Sequence, residues 1–301
     1  MDERKKLLFV YNPHAGKSTI SNKLSDIIQQ FCKADYEVTI FATKGAKDAT
    51  NLVLELGEKF DYVVCSGGDG TMNEVTAGLM QLPEDKRPPC GYIPAGTVND
   101  FASSLHIPKI MKRAAEVVVD ANFFPCDIGA FNDRYFTYVA AFGAFTEVSY
   151  ATPQNTKNML GPVAYILEGA MSIPNIKSYR LRLEFDDKII EDDFLFGMVC
   201  NSYSVASLKV FTGVRHVKLD DGLFEAVFIK MPKSALDLQA TINCLMAKEA
   251  DSNYILFFRT SDIIVSCDEE IKWTLDGEGS SGIKLAHITN KNQALRIAVP
   301  R

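Results

Sequence analysis

The run Ser66-Gly67-Gly68-Asp69-Gly70-Thr71-Met72-Asn73-Glu74 gathers residue types suited to anion binding and to proton or metal chemistry. It follows a short apolar stretch from Tyr62 to Cys65 that reads as a buried strand, and a helical pattern begins just beyond it. Adjacent glycines allow backbone dihedrals that other residues avoid. They also let main-chain N–H groups approach an anion with no side chain in the way. Thr71 and Glu74 have the spacing of a capping box, which predicts a helix beginning at Thr71 with its positive end toward the turn. Strand, glycine turn and helix N-terminus together suit a phosphate group. Asp69 is unexpected there, because a carboxylate repels a phosphate unless a cation bridges them or a proton is to be moved.

Two familiar phosphate motifs fail on inspection. A dinucleotide fingerprint starting at Gly68 needs glycine at position 73, which is Asn73. Gly16-Lys17-Ser18 ends like a Walker loop, but Tyr11 stands where its first glycine belongs. A glycine turn that merely reverses the chain is the plain alternative. Two acidic turns lie further on, Lys218-Leu219-Asp220-Asp221-Gly222-Leu223 and Asp276-Gly277-Glu278. Either alone reads best as a solvated hairpin turn. Joined to a phosphate-binding turn with its own Asp69, they fit phosphoryl transfer, which needs a divalent cation on the phosphates, in-line positioning and a base near the accepting hydroxyl. Hard oxygen ligands suit Mg²⁺.

The elements that must position these residues fall into two groups. Residues 1–125 alternate strand and helix with short connections: strands at 7–11, 37–42, 62–66 and 90–94, helices beginning at Ser18, Asp48 and Thr71. That alternation predicts a doubly wound, mostly parallel α/β domain that binds its ligand beyond the carboxyl ends of the strands. Residues 126–289 read as successive β-like runs broken by helices over Lys157–Ser172 and Ser234–Ala247, a second and mainly antiparallel domain. The strand near 290–301 has no obvious sequence partner and is expected to return to the first domain.

The 301 residues, 47% hydrophobic with a net charge of −6, suit a soluble chain with sizeable cores. No basic stripe argues for nucleic acid. The seven cysteines are scattered and form no C-x-x-C pair, so buried thiols in a reducing cytosol are expected. No run approaches the about 18 apolar residues of a membrane span, and no signal peptide is evident. The four histidines are too widely spaced for a zinc site.

Six motifs occur in order: Asn12-Pro13, Gly67-Gly68-Asp69-Gly70-Thr71, Pro94-Ala95-Gly96-Thr97-Val98-Asn99-Asp100-Phe101-Ala102, Asp127-Ile128-Gly129, Leu219-Asp220-Asp221-Gly222 and Asp276-Gly277-Glu278. Across nearly the whole chain the series resembles the soluble bacterial diacylglycerol kinase family of lipid kinases. The resemblance implies an α/β nucleotide-binding domain, a β-sandwich domain and an active site in the cleft between them. It implies that ATP is held by Asn12, Thr43, Gly67, Gly68, Asp69, Gly70, Thr71, Met72, Asn73, Gly96, Thr97 and Asn99. It further implies Asp69 near the transferred phosphoryl group, Glu278 as the base, and a structural Mg²⁺ on Asp221 and the carbonyls of Lys218 and Leu223; Asp276, one residue after its strand, is placed to orient Glu278 or to help position metal. A cytoplasmic enzyme reaching a membrane lipid peripherally from the inner face follows, with a homodimer left open.

Ser103, Val205-Ala206-Ser207 and Val214-Arg215 depart from the family pattern in a region able to shape the lipid site, which leaves the acceptor open. The Lys157–Ser172 helix and the Arg215/His216/Lys218 patch are candidates to meet a membrane, against the plainer readings of core helix and solvated turn. An NAD kinase, which shares the Gly-Gly-Asp-Gly-Thr turn, is the nearest rival. A regulatory protein that binds ATP without turnover is the other.

Overall fold

The structure is a computed structural model that describes residues 4–16, 19–143, 177–202, 204–205, 208–209, 218–247 and 251–301. Ser18, the expected helix over 157–172, Ala206, Ser207, Val214, Arg215 and His216 lie outside the described residues. The chain divides into two units. Unit 1 draws on Met1–Ile128, Arg134–Thr137 and Lys291–Arg301, and unit 2 on Gly129–Asp133 and Tyr138–Asn290.

Unit 1 is built on β1 (Lys6–Tyr11), β2 (Glu37–Ala42), β3 (Tyr62–Gly67) and β4 (Cys90–Pro94), all parallel. Leu7, Leu8, Phe9 and Val10 of β1 and Val63, Val64 and Cys65 of β3 are wholly buried. Continuous apolar runs are what a parallel strand covered on both faces requires. The covering helices are α1 (Leu24–Lys33), α2 (Asp48–Leu56), α3 (Asp69–Met80), a short α4 (Asp100–Ser104) and α5 (Met111–Asp120).

The spatial order is β4-β3-β1-β2. The chain goes from β1 to β2 on one side, then crosses back to place β3 on the other. Right-handed crossovers put α1 on one face and α2 and α3 on the opposite one, and α2 accordingly packs on α3 while α1 packs on α5. The topological switch point therefore lies between β1 and β3, at their carboxyl ends.

Unit 2 is antiparallel. Its strands are β5 (Phe123–Phe131, entering from unit 1), β7 (Val139–Gly143), β8 (Tyr179–Phe185), β9 (Lys188–Cys200), β12 (Phe224–Lys230), β13 (Ile255–Thr260), β14 (Asp262–Leu275) and β15 (Glu278–Ala298). Unit 1 holds β6 (Arg134–Phe136), and the two-residue strands β10 (Ser204–Val205) and β11 (Leu208–Lys209) pair only with each other. A helix, α6 (Ala235–Ala247), joins β12 to β13.

The expected sandwich is corrected in one respect. The main strands form one hydrogen-bonded network, because the long β9 and β14 each bond to β8 along one half and to β7 along the other. Trp273 packs in its core against Phe142, ring centroids 4.7 Å apart, and against Phe131 at 5.1 Å. Cys65, Cys90, Cys126 and Cys200 are buried as expected, and burial pushes the Cys90 thiol up to about 12; Cys32, in contrast, is exposed.

The last strand does return to unit 1, where Ile297 pairs with Cys90 of β4 in parallel. The point of return is fixed by Asp127, fully buried on β5, whose Oδ1 accepts the Asn292 side-chain amide at 3.1 Å and the Gln293 N–H at 2.7 Å. Gln293 has φ +51, so the backbone turns there under constraint. Asp127→Ala leaves both donors without this acceptor and is expected to cost about 2–4 kcal/mol. Thermal unfolding checks it: an unchanged Tm would show that the carboxylate does not fix the return.

Candidate active site

At the switch point the turns after four strands are bonded into one edge. The Asn12 N–H donates to the Ser66 carbonyl at 2.8 Å, and the Asn12 amide donates to Thr71 Oγ1 at 3.3 Å. Asn12 Oδ1 accepts the His14 N–H at 2.9 Å, closing an Asx turn. The Thr43 N–H donates to the Tyr11 carbonyl at 2.9 Å. The Gly67 carbonyl accepts the N–H groups of Ala95 and Gly96 at 2.8 and 3.2 Å.

The glycines are needed for space. None of Gly67, Gly68, Gly70 and Gly96 has positive φ, so dihedral freedom is not their role. A Cβ on Gly96 would lie 2.5 Å from the Gly68 Cα and 2.8 Å from Asn99 Oδ1, and one on Gly67 would run into the Thr71 side chain. Gly16, whose φ is +56, lies as tightly against the Ala95 carbonyl. Sequence reasoning passed over Gly16 once the Walker reading failed. The turns after β1, β3 and β4 thus meet main chain to main chain.

The predicted capping box is overturned. Helix α3 starts at Asp69, with Gly68 as its N-cap and no side-chain cap. Glu74 is turned away to another helix: its carboxylate accepts the N–H of Lys47 at 2.7 Å and of Ala49 at 3.2 Å, capping α2. Lys47 is held at φ +66, so Glu74 fixes the segment that follows Thr43. The first helical bond of α3 runs from the Met72 N–H to the Gly68 carbonyl at 3.1 Å. The N–H groups of Gly70 and Thr71 consequently precede the ladder and have no acceptor within the helix.

Asp69 is half-buried, and both its carboxylate oxygens accept main-chain N–H groups, from Asp100 at 3.2 Å and Phe101 at 3.3 Å. It therefore binds the start of α3 to the start of α4, a structural task that the sequence did not signal. Asn99, buried at φ +56, closes the neighbouring turn by accepting the Gly96 N–H at 3.0 Å and donating to the Gly96 carbonyl at 2.8 Å. The Tyr92 hydroxyl stands 3.3 Å from both the Gly67 carbonyl and Asn99 Oδ1, a contact missed in a residue that reads as plain core. Met72 is wholly buried with its N–H in the helix ladder, and the Asn73 amide donates to the Tyr135 carbonyl at 3.1 Å, so these two hold the start of α3 in place rather than face a ligand. Thr97 is exposed and Thr43 half-buried. What the edge offers an anion is the helix N-terminus of α3, where the N–H groups of Gly70 and Thr71 precede the ladder, which is chemistry for phosphate.

In unit 2, Asp276 (φ +50) and Gly277 (φ +89) form the two-residue turn of the β14–β15 hairpin. Asp276 is buried, with Oδ1 accepting the N–H groups of Tyr138 and Val139, both at 3.0 Å. Its carboxylate anchors the turn to the start of β7. Glu278 leaves that turn as an exposed carboxylate, paired across the hairpin with Leu275.

Asp221 has a different environment. Its Oδ2 meets Nη2 of Arg259 at 2.5 Å, and its Oδ1 accepts the Leu223 N–H at 3.2 Å. Nε of the same guanidinium donates at 3.2 Å to Glu225, a wholly buried carboxyl that burial pushes up to about 7 against the pull of Arg259. Among the described residues no three His, Cys, Asp or Glu side chains are grouped to hold a metal. Lys218 is exposed and Leu223 half-buried in the same turn. Mg²⁺ demands close, near-octahedral oxygen ligands, and Asp221, the one side chain in the implied ligand set, is already turned to the Arg259 cation. As arranged, these residues do not fit the structural Mg²⁺ that the resemblance implies.

Residues 6–131 match the diacylglycerol kinase catalytic domain family. A diacylglycerol kinase of Staphylococcus epidermidis is 33% identical over 301 residues, covering 99% of this chain and 93% of its own. One from Bacillus subtilis is 32% identical over 299 residues, covering 99% and 97%. A crystal structure from Bacillus anthracis superposes with a TM-score of 0.81 at 26% identity, covering 100% of this chain and 97% of that one.

Gly96→Ala is expected to push the turns at Gly68 and Gly96 apart and to weaken binding of an adenine nucleotide by tenfold or more, about 1.4 kcal/mol. Calorimetric titration with ATP checks it. Parental affinity in a folded Gly96→Ala protein would show that the close approach is not what shapes the site.

Proposed function

Because the chain belongs to the diacylglycerol kinase family, we propose that it is an ATP-dependent lipid kinase, moving the γ-phosphate of ATP to the hydroxyl of diacylglycerol or a related lipid. The observation that carries this reading is the meeting of the turns after β1, β3 and β4 at the switch point, with the N-terminus of α3 directed into it. The turn from Gly67 to Asn73 holds the phosphates through the main-chain N–H groups of Gly70 and Thr71, which precede the helix ladder, with Asn12, Thr43, Gly96, Thr97 and Asn99 lining the nucleotide. The substrate is the Mg²⁺ complex of ATP, whose cation neutralises charge on the phosphates.

Asp69 presents fixed negative charge beside those phosphates and steers the cation side of that complex. Its two N–H donors keep the carboxylate in one orientation. Glu278 takes the proton of the lipid hydroxyl as that oxygen bonds to the γ-phosphorus and the bond to ADP breaks. Asp276 fixes the hairpin from which Glu278 projects. Among the described residues no helix is long and apolar enough to cross a membrane, which accords with a lipid reached peripherally from the cytoplasmic face. The net charge of −6 supports no nucleic-acid partner.

The test is purified protein with radiolabelled ATP and a panel of micellar lipids, with NAD⁺ as a further acceptor. Label is expected on diacylglycerol or a close relative. Label on NAD⁺ alone, or ATP bound with no transfer, would replace the proposal with one of its rivals. Glu278→Gln is expected to lower kcat roughly 10²–10⁴-fold with the ATP affinity unchanged, since the loss falls in the transition state. Asp69→Asn is expected to remove most transfer and also to lower Tm, because an amide can accept only one of the two N–H groups. Parental turnover in either folded variant would remove that residue from the chemistry.

A further inference from the structure

We propose that Arg259 serves as a built-in cation at the acidic turn of unit 2, so that the turn is held without a divalent metal. Three facts carry this. Glu225 and Arg259 sit directly opposite each other on the antiparallel pair β12–β13, which places the guanidinium over a wholly buried carboxyl. Asp221, at the turn that leads into β12, closes on the same guanidinium from the other side. The other oxygen of Asp221 accepts the Leu223 N–H, so both its oxygens are engaged.

The chemistry favours arginine in this place. A planar guanidinium can reach two carboxylates at once through Nε and Nη2, holding both in fixed directions. Asp221 and Arg259 keep 23% and 30% of their side-chain surface exposed, so the cation is partly sheltered from screening while Glu225 is not exposed at all. A divalent ion on Asp221 would have to compete with Nη2 of the guanidinium for that carboxylate and lie close to the positive charge that Glu225 keeps in place through Nε. Glu225 Oε2 has no hydrogen-bond partner, and Oε1 takes the charge-assisted bond from Nε of Arg259. The metal that the family resemblance implies is thus replaced here by a side chain.

The test needs no nucleotide, so it stands apart from the kinase reading. The probes are EDTA and MgCl₂ alone, with the melting temperature as readout. The parent protein is expected to melt within about 1 °C in either, whereas a native metal site filled about a hundredfold over its Kd would shift Tm by several degrees. Arg259→Met keeps the stem and removes the charge. It is expected to melt several degrees lower in EDTA and to regain part of that loss in Mg²⁺, which the two freed carboxyls can now bind. A parent Tm that falls in EDTA and is restored by Mg²⁺ alone would overturn the proposal. Should Arg259→Met fail to fold, Mn²⁺ titration of the parent by electron paramagnetic resonance decides. No bound Mn²⁺ sensitive to Asp221→Asn is expected, and its appearance would overturn the proposal equally.

Discussion

The approach of two backbones at Gly68 and Gly96 sets most of what unit 1 can do. A single methyl group at Gly96 would collide with both the Gly68 Cα and the Asn99 side chain. With no Cβ in the gap, the turn after β3 and the turn after β4 share the Gly67 carbonyl as a common acceptor. That shared acceptor brings α3 and α4 to start side by side, close enough for Asp69 to serve both. The doubly wound order supplies the place, because the crossovers diverge between β1 and β3. The glycines then let three turns close over it without filling it.

The carboxylates divide by what already occupies them. Asp69, Asp127 and Asp276 accept main-chain N–H groups, and Asp221 is taken by Arg259 and its own turn. Each of these acidic residues therefore builds structure before it does any chemistry. A carboxylate accepting N–H groups in a fixed direction is also a pre-set electrostatic element, with no reorganisation left to make when a charged substrate arrives. Glu278 is exposed, on the strand that leaves a two-residue turn.

How much of this was legible in the sequence depended on range. Strands β1, β3 and β4 were readable because a strand covered on both faces must be apolar throughout, and the Gly67–Thr71 turn was readable because its residue types are local. The capping box failed for the opposite reason: Thr71 and Glu74 have the right spacing, but Glu74 meets Lys47 and Ala49, 27 and 25 residues away. Asp69 finds its donors 31 and 32 residues along the chain, and Asp221 finds Arg259 at 38. Nothing in local pattern announces such partners. In unit 2 the alternation of apolar residues marked strands but not their neighbours, so β7 and β8 sharing the flanks of β9 and β14 could not be foreseen. The glycines illustrate the same limit, since their type pointed to dihedral freedom and to approach of an anion, and only the packing showed two turns pressed against each other at Gly68 and Gly96.

The central claim is that the turns meeting at the switch point are the nucleotide phosphate site. Amide hydrogen exchange with and without MgATP tests it at the main chain itself. The account predicts slowed exchange in the segments 12–16, 67–73 and 95–101, with residues of β2 remote from Thr43 unchanged. Protection confined to other parts of the chain, with those three segments unaltered at saturating nucleotide, would contradict it.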